Sequence, residues 1–258
     1  MSDLLHTRTV GDDDAATVVF LHGLFGQGRN WNEIAKQLPS GWRGLMIDLP
    51  NHGLSPWTED FSYLQMADQT AETIRAKTTG PVVVVGHSMG GKVAMQLALR
   101  HPDLVRALVV VDISPSCATS SFDVYVEAMR SIDLTAITSR GEADQAMAEL
   151  VPSATVRGFL LQNLRREGQG WRWQQNLDLL GGSLDQIGDW PATDGSYPGP
   201  VLWVAGDQSD YITEADREPM EALFPAVRLT TIKQAGHWVH SEQPAIFVQV
   251  LRAFLSEV

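Results

Sequence analysis

The chain has 258 residues, 44% of them hydrophobic, with 19 basic and 31 acidic side chains for a net charge of −12. That length holds one large α/β domain or two small ones around a substantial core. So acidic a field repels nucleic acid and anionic membranes, so neither is expected as a partner.

No apolar run approaches the roughly 18 residues of a membrane span. Met1-Ser2-Asp3-Leu4-Leu5-His6 lacks a basic stretch followed by an apolar one, so no signal peptide is expected. Cys117, the single cysteine, precludes an intrachain disulfide and suits a reducing compartment, which makes cytoplasm the expected location. It reads as a small, half-buried apolar side chain. No surface pattern marks a dimer face, and monomer is the default.

In chain order, residues 4–10 read as an extra strand, and Gly11-Asp12-Asp13-Asp14 as the turn into a first central strand at 17–21. His22-Gly23-Leu24-Phe25-Gly26 follows that strand as a loop. The next strand is at 45–47, and the turn-rich Asp48-Leu49-Pro50-Asn51-His52-Gly53-Leu54-Ser55 follows it. Asp48 and His52 are expected to hold that loop, and His22 to bond its own loop backbone. A helix is predicted over 63–78, a strand over 82–85, a helix over 92–100 and a strand over 107–111.

Between these elements lies the most specific signal in the chain. Gly86-His87-Ser88-Met89-Gly90 reads G-x-S-x-G, directly after an all-apolar strand and directly before a helix. That context makes it a nucleophile elbow. The turn is tight enough to demand small neighbours at 86 and 90, and it lifts a serine hydroxyl above the sheet, where the helix N-terminus favours developing negative charge.

From 114 to 200 the strand rhythm stops. Amphipathic stretches at 122–131, 142–150 and 155–166 predict a helical lid (cap) inserted between residues 1–113 and 201–258, the two parts of the core. Gly181-Gly182 and 191–200 are its expected return loops. The insertion should cover the carboxyl ends of the strands, where open α/β sheets bind ligands. A last central strand at 201–204, helices at 219–224 and 244–256, and loops carrying Asp207, Asp210 and His237 complete the chain. Strands apolar throughout that alternate with helices indicate a mostly parallel sheet covered on both faces.

A serine nucleophile needs a base, an acid to orient it and donors for the oxyanion. His237, after Gly236 in a loop ahead of the last helix, is the predicted base. His240 reads as a supporting or surface residue, and its H-x-x-H spacing with His237 has no further ligand to suggest zinc. Asp112, Asp207 and Asp210 all end up near strand termini, and spacing leaves the acid open among them. The backbone N–H groups of Leu24 and Met89 are the predicted oxyanion donors. Phe25, Trp171, Trp173 and Trp238 are candidate substrate contacts. Arg157, Arg165, Arg166 and Arg172 form a basic stretch opposed by Glu167 alone, either a solvated face or a seat for an anionic leaving group such as the phosphates of CoA.

On these motifs the chain resembles an α/β-hydrolase-fold serine esterase, and within that superfamily the small YbfF-like branch. The matching segments are HGLFG at 22–26, DLPNHGLSP at 48–56, GHSMGGK at 86–92, VDISP at 111–115 and AGHWVH at 235–240. The resemblance bears on the acid: the usual acid position, three residues after Gly206, holds Ser209 here, and the branch offers the Asp of its VDI(S/A)P motif, Asp112, instead. It implies hydrolysis of small to medium carboxylic esters, with acyl-CoA thioesters as a further class, and no metal or organic cofactor. Acyl transfer to alcohol or peroxide, C–C bond hydrolysis and a catalytically silent small-molecule receptor remain alternative readings of the same scaffold.

Overall fold

In the computed structural model, described for residues 4–117, 122–168 and 170–258, the chain folds around one seven-stranded sheet. Residues 1–3, 118–121 and 169, which fall in the expected N-terminal start and in the 114–200 insertion, lie outside the described residues.

The elements follow in order as β1 (Thr7–Val10), β2 (Ala16–Leu21), α1 (Asn32–Ala35), β3 (Trp42–Ile47), α2 (Tyr63–Lys77), β4 (Val82–His87), α3 (Met89–Arg100) and β5 (Val105–Val111). Then come α4 (Asp123–Arg130), α5 (Arg140–Met147), α6 (Ala154–Leu161), the hairpin β6 (Leu164–Glu167) and β7 (Gly170–Trp173), α7 (Leu177–Gly182) and α8 (Leu184–Gly188). The chain ends with β8 (Val201–Gly206), α9 (Arg217–Leu223), β9 (Val227–Ile232), α10 (Val239–Glu242) and α11 (Pro244–Leu255). The spatial order of the sheet is β1-β3-β2-β4-β5-β8-β9; β1 runs antiparallel to β3 and every other pair is parallel.

Strand periodicity divides the core into two layers. On β4, Val82 and Val84 face one cluster while Val83 and Val85 face the other; on β5, Leu108 and Val110 oppose Ala107, Val109 and Val111 in the same way. The first layer is closed by α2 and α3, and the second by α1 and α11, whose Phe247, Leu251 and Phe254 are buried in it. Because both faces are covered, the central strands carry no polar alternation, which is why they read as unbroken apolar runs.

Three expectations are corrected. Residues 227–232 form a strand, β9, although VRLTTI is not an apolar run: it is the sheet edge, and only Ile232 is buried. The helix expected over 155–166 ends at Leu161, and Leu164–Glu167 pairs antiparallel with Gly170–Trp173 as a hairpin, with Gly168 at φ +59°. Gly181 and Gly182 belong to α7, not to a return loop. A Cβ on Gly181 would meet the Val126 side chain at 2.7 Å, so a larger residue there would force Val126 to shift where α7 packs on α4.

Candidate active site

The sheet brings its strand ends together through close backbone approach. Ser88 leaves β4 with φ 52° and ψ −122° and caps α3, its own N–H bonded to Val111 O at 3.0 Å. A Cβ on Gly86 would fall on Gly90 O, and one on Gly90 on His22 O. The two glycines of the elbow are therefore required by backbone contacts that cannot give way. Gly206 has the same role one loop away, where a Cβ would strike Gly236 O and push the Asp207 and His237 loops apart.

His237 Nε2 lies 2.9 Å from Ser88 Oγ, and His237 Nδ1 lies 2.8 Å from Asp112 Oδ2. A carboxylate facing Nδ1 keeps the proton on that nitrogen and leaves Nε2 to accept from the serine hydroxyl. Asp112 is fully buried at φ 51° and accepts from Gly206 N at 2.9 Å and from the Ser209 hydroxyl. Asp207 is exposed and accepts from Ala235 N at 3.3 Å; Asp210 is exposed. Neither is hydrogen-bonded to His237. Ser209, at the position where an acid is usual, thus bonds the carboxylate that comes from the neighbouring strand.

Leu24 and Met89 line a cavity with Ser88. Among the described residues neither N–H has a protein acceptor. The Leu24 loop is held from behind. His22 Nδ1 donates to Gly23 O at 2.8 Å and its Nε2 accepts from Leu49 N at 2.9 Å; His52 Nε2 accepts from Phe25 N at 3.2 Å. Asp48 accepts from Gly28 N at 2.7 Å and Leu54 N at 2.9 Å. Burial pushes His52 down to about 3 and lowers His22 as well, so both act as neutral hydrogen-bonding pieces.

Two small cavities meet at Ser88. One, of about 30 Å³, is lined on its far side by Asn30, Phe159, Trp238 and His240. The other, of about 20 Å³, runs between Leu24, Met89, Tyr63, Lys92, Ile187 and Tyr211. Of the four expected substrate contacts, Trp238 lines the first. Phe25 is fully buried behind the loop, its carbonyl accepting from Asn163 Nδ2 at 2.7 Å. Trp171 and Trp173 line neither cavity: they sit on β7, where Arg166 lies over the Trp171 ring and Trp173 is packed into the core. Cys117 is exposed instead of half-buried, its Sγ donating to Asp189 Oδ1 at 2.7 Å. Among the described residues no group of three or more His, Cys, Asp or Glu is placed to hold a metal ion.

Sequence reasoning missed three contributors. Tyr211 stacks on the His237 ring at 3.9 Å, and burial raises its phenol to about 12. His87 donates through Nε2 to His237 O at 2.8 Å, with burial, then the charges of His240 and His237, holding it well below the ordinary histidine range. Lys92 is buried, its Nζ donating to Gly188 O at 2.7 Å and Asp189 O at 2.8 Å. Burial brings that ammonium down to about 8, against the opposing pull of Cys117 and Asp189. His240 is placed behind the site, stacked on Trp31 at 4.1 Å and pushed by burial to about 3. The adjacent imidazoles of His87 and His240 are thus neutral and add no positive charge beside His237.

The family model for the α/β hydrolase fold matches residues 16–244. The chain is 39% identical over 254 residues to the sn-1-specific diacylglycerol lipase ABHD11 of Mus musculus, covering 95% of this chain and 83% of that one. It is 31% identical over 241 residues to esterase YbfF of Escherichia coli K12, covering 93% of each. Among solved structures, a marine microorganism esterase superposes with a TM-score of 0.93 at 35% identity, covering 97% of this chain and 99% of that one.

Proposed function

This chain belongs to the α/β-hydrolase-fold family, among esterases and lipases, and on that premise we propose that it hydrolyses carboxylic esters through Ser88, His237 and Asp112. The observation that carries this reading is the continuous Ser88–His237–Asp112 hydrogen-bond line, at 2.9 and 2.8 Å, on a strained elbow beside two unclaimed backbone donors. His237 Nε2 takes the Ser88 proton as Oγ attacks the ester carbonyl, and the Leu24 and Met89 N–H groups receive the oxyanion. The imidazolium, held by Asp112, gives that proton to the departing alcohol. Water, deprotonated by His237, then attacks the acyl carbon; Ser88 Oγ leaves and takes that proton back from His237, and the carboxylic acid is released.

The apolar cavity by Tyr63, Ile187 and Tyr211 is assigned to the acyl group, and the histidine side, with Asn30 and Trp238, to the alcohol. Both are small, so residues 114–200 act as a lid that opens to admit substrate. Small to medium acyl esters are the proposed substrates, acyl-CoA thioesters a secondary class, and the lone cysteine keeps cytoplasm as the proposed compartment.

The test is kcat/KM for wild type and Ser88→Ala across esters of increasing acyl length and the matching acyl-CoAs. A loss in kcat on the order of 10³ or more is expected in the variant. Wild-type turnover by purified Ser88→Ala would overturn the reading.

A further inference from the structure

Arginines from separate elements gather on one face of this acidic chain. Arg29 lies in the turn Gly28–Trp31, Arg140 opens α5, and Arg165 faces Arg172 across the β6–β7 hairpin. Arg29 Nη2 donates to Gln162 O at 2.9 Å, Arg140 Nη2 to Leu164 O at 2.5 Å, and Arg165 Nη1 to the same Leu164 O at 3.5 Å. Three guanidinium groups thus converge on the carbonyls of residues 162 and 164. Each spends one of its N–H donors there, and among the described residues the rest of its fork has no hydrogen-bond partner.

The basic stretch expected from sequence is partitioned differently in space. Arg157 forks onto Asp144 at 2.8 and 3.1 Å, Arg166 lies over Trp171, and Arg172 pairs with Glu167 at 2.8 Å. Arg165 instead joins Arg29 and Arg140. Among the described residues none of these three has a carboxylate oxygen within 4.0 Å. The carboxylate that acts on Arg29 from a distance, Asp48, already accepts from Gly28, Leu54 and His6. Burial, then the charges of Arg8 and Arg140, lowers Arg29; burial, then Arg29, Arg140, Arg172 and Arg8, lowers Arg165. Like charges held together without a counter-ion cost free energy that an anion would relieve.

The cluster adjoins the site. Asn30 lines the histidine-side cavity, its Nδ2 donates to Gln162 Oε1 at 2.8 Å, and the carbonyl of Gln162 holds Arg29. We propose that Arg29, Arg140 and Arg165 bind the phosphate group carried by the alcohol portion of an ester substrate, at the outer edge of that cavity. Planar forks suit phosphate oxygens, and three of them around one seat distinguish a phosphate monoester from a neutral alcohol. As a statement of substrate class this rests on the esterase reading of Ser88; as a binding site it does not. The same phosphate chemistry is offered by a soluble phosphorylated alcohol and by a phospholipid headgroup.

The experiment has three arms on the full chain. Calorimetric titration with inorganic pyrophosphate is expected to show binding that weakens with salt, falls at least about tenfold in Arg140→Gln/Arg165→Gln and is largely retained in Arg165→Lys. Equal affinity in wild type and the double variant, or none in either, overturns the site. The salt series needs no variant, and the lysine variant separates lost charge from lost folding. Next, kcat/KM is compared for one acyl chain esterified to glycerol and to glycerol 3-phosphate, the phosphate ester being preferred about tenfold or more at low salt. In parallel, sedimentation is followed with phosphatidylcholine vesicles with and without phosphatidic acid. Preference between soluble esters without vesicle retention assigns a soluble substrate; retention without that preference assigns the headgroup; neither removes the substrate role. Should Ser88→Ala retain activity, the esterase reading fails while the pyrophosphate titration still decides the site.

Discussion

His87 donates its Nε2 hydrogen to the main-chain carbonyl of His237 at 2.8 Å, so the residue before the serine grips the backbone of the residue that faces the serine. The bond ties β4 to a loop 150 residues away, and burial keeps His87 neutral so that the bond adds no charge beside the imidazole.

His87→Leu removes that donor and strands the His237 carbonyl. With the imidazole free to drift, kcat is expected to fall on the order of 10- to 100-fold with KM little changed, since misplacement by an ångström is enough to do this. His87→Gln, which restores an N–H, should recover part of the loss. Steady-state kinetics on one ester decides it: equal kcat in the leucine variant and wild type ends the positioning role.

Asp112→Asn puts an amide where Nδ1 of His237 needs an acceptor, and the wrong tautomer follows. The expected loss in kcat is on the order of 10³ to 10⁴. Asp207→Asn and Asp210→Asn, whose carboxylates are exposed and unconnected to the imidazole, should keep wild-type turnover. The reverse pattern would move the acid to the loop after β8.

How much of this was legible in the chain follows from range. The elbow could be read because its causes are local: an all-valine strand, two glycines at the required spacing and a helix beginning at once. The order of strands and helices could be read because a doubly covered sheet leaves apolar runs. β9 and the β6–β7 hairpin could not, because an exposed edge and a hairpin of two four-residue strands, LRRE and GWRW, leave no such trace. Composition placed four arginines in one stretch, whereas folding took one of them and set it beside Arg29 and Arg140. Tyr211 and His87 act through contacts far along the chain, and single polar residues carry no periodicity that would reveal them. A carboxylate in the loop after Gly206 is the habitual signal; Ser209 there, bonded to Asp112, marks the strand exchange once the fold is known.

Acid should destabilise the fold before the carboxylates titrate. His52 and His240 have folded-state values of about 3, below the ordinary value near 6.5, because burial disfavours their charged forms. Between those limits the unfolded chain binds more protons than the folded one, so stability rises with pH across that window and is lost on acidification. At pH 5 each contributes a loss of about 2 kcal/mol relative to neutral pH. A Tm series from pH 7.5 to 4.5 should slope downward from about 6.5, and His240→Gln should make the slope shallower while the His52 share remains. A flat wild-type profile down to pH 5 would show those imidazoles charged in the fold.

Lys92 joins the helix that follows the serine to the end of α8, since its ammonium holds the carbonyls of Gly188 and Asp189 while the Tyr63 hydroxyl holds that of Ile187 at 2.7 Å. Three hydrogen bonds from two core side chains therefore fix one end of the inserted segment, at the wall of the proposed acyl cavity. Lys92→Met keeps the length and apolar stem but leaves two carbonyls without partners, a cost of about 1–3 kcal/mol each if they stay buried. Releasing α8 is the cheaper response. Amide hydrogens of residues 184–190 should exchange faster in the variant, while those of β4 and β5 stay protected. With that wall loosened and its cation gone, the acyl-length profile should broaden toward longer chains. Unchanged exchange over 184–190 together with an unchanged profile would leave Lys92 as a buried charge with no hold on the inserted segment.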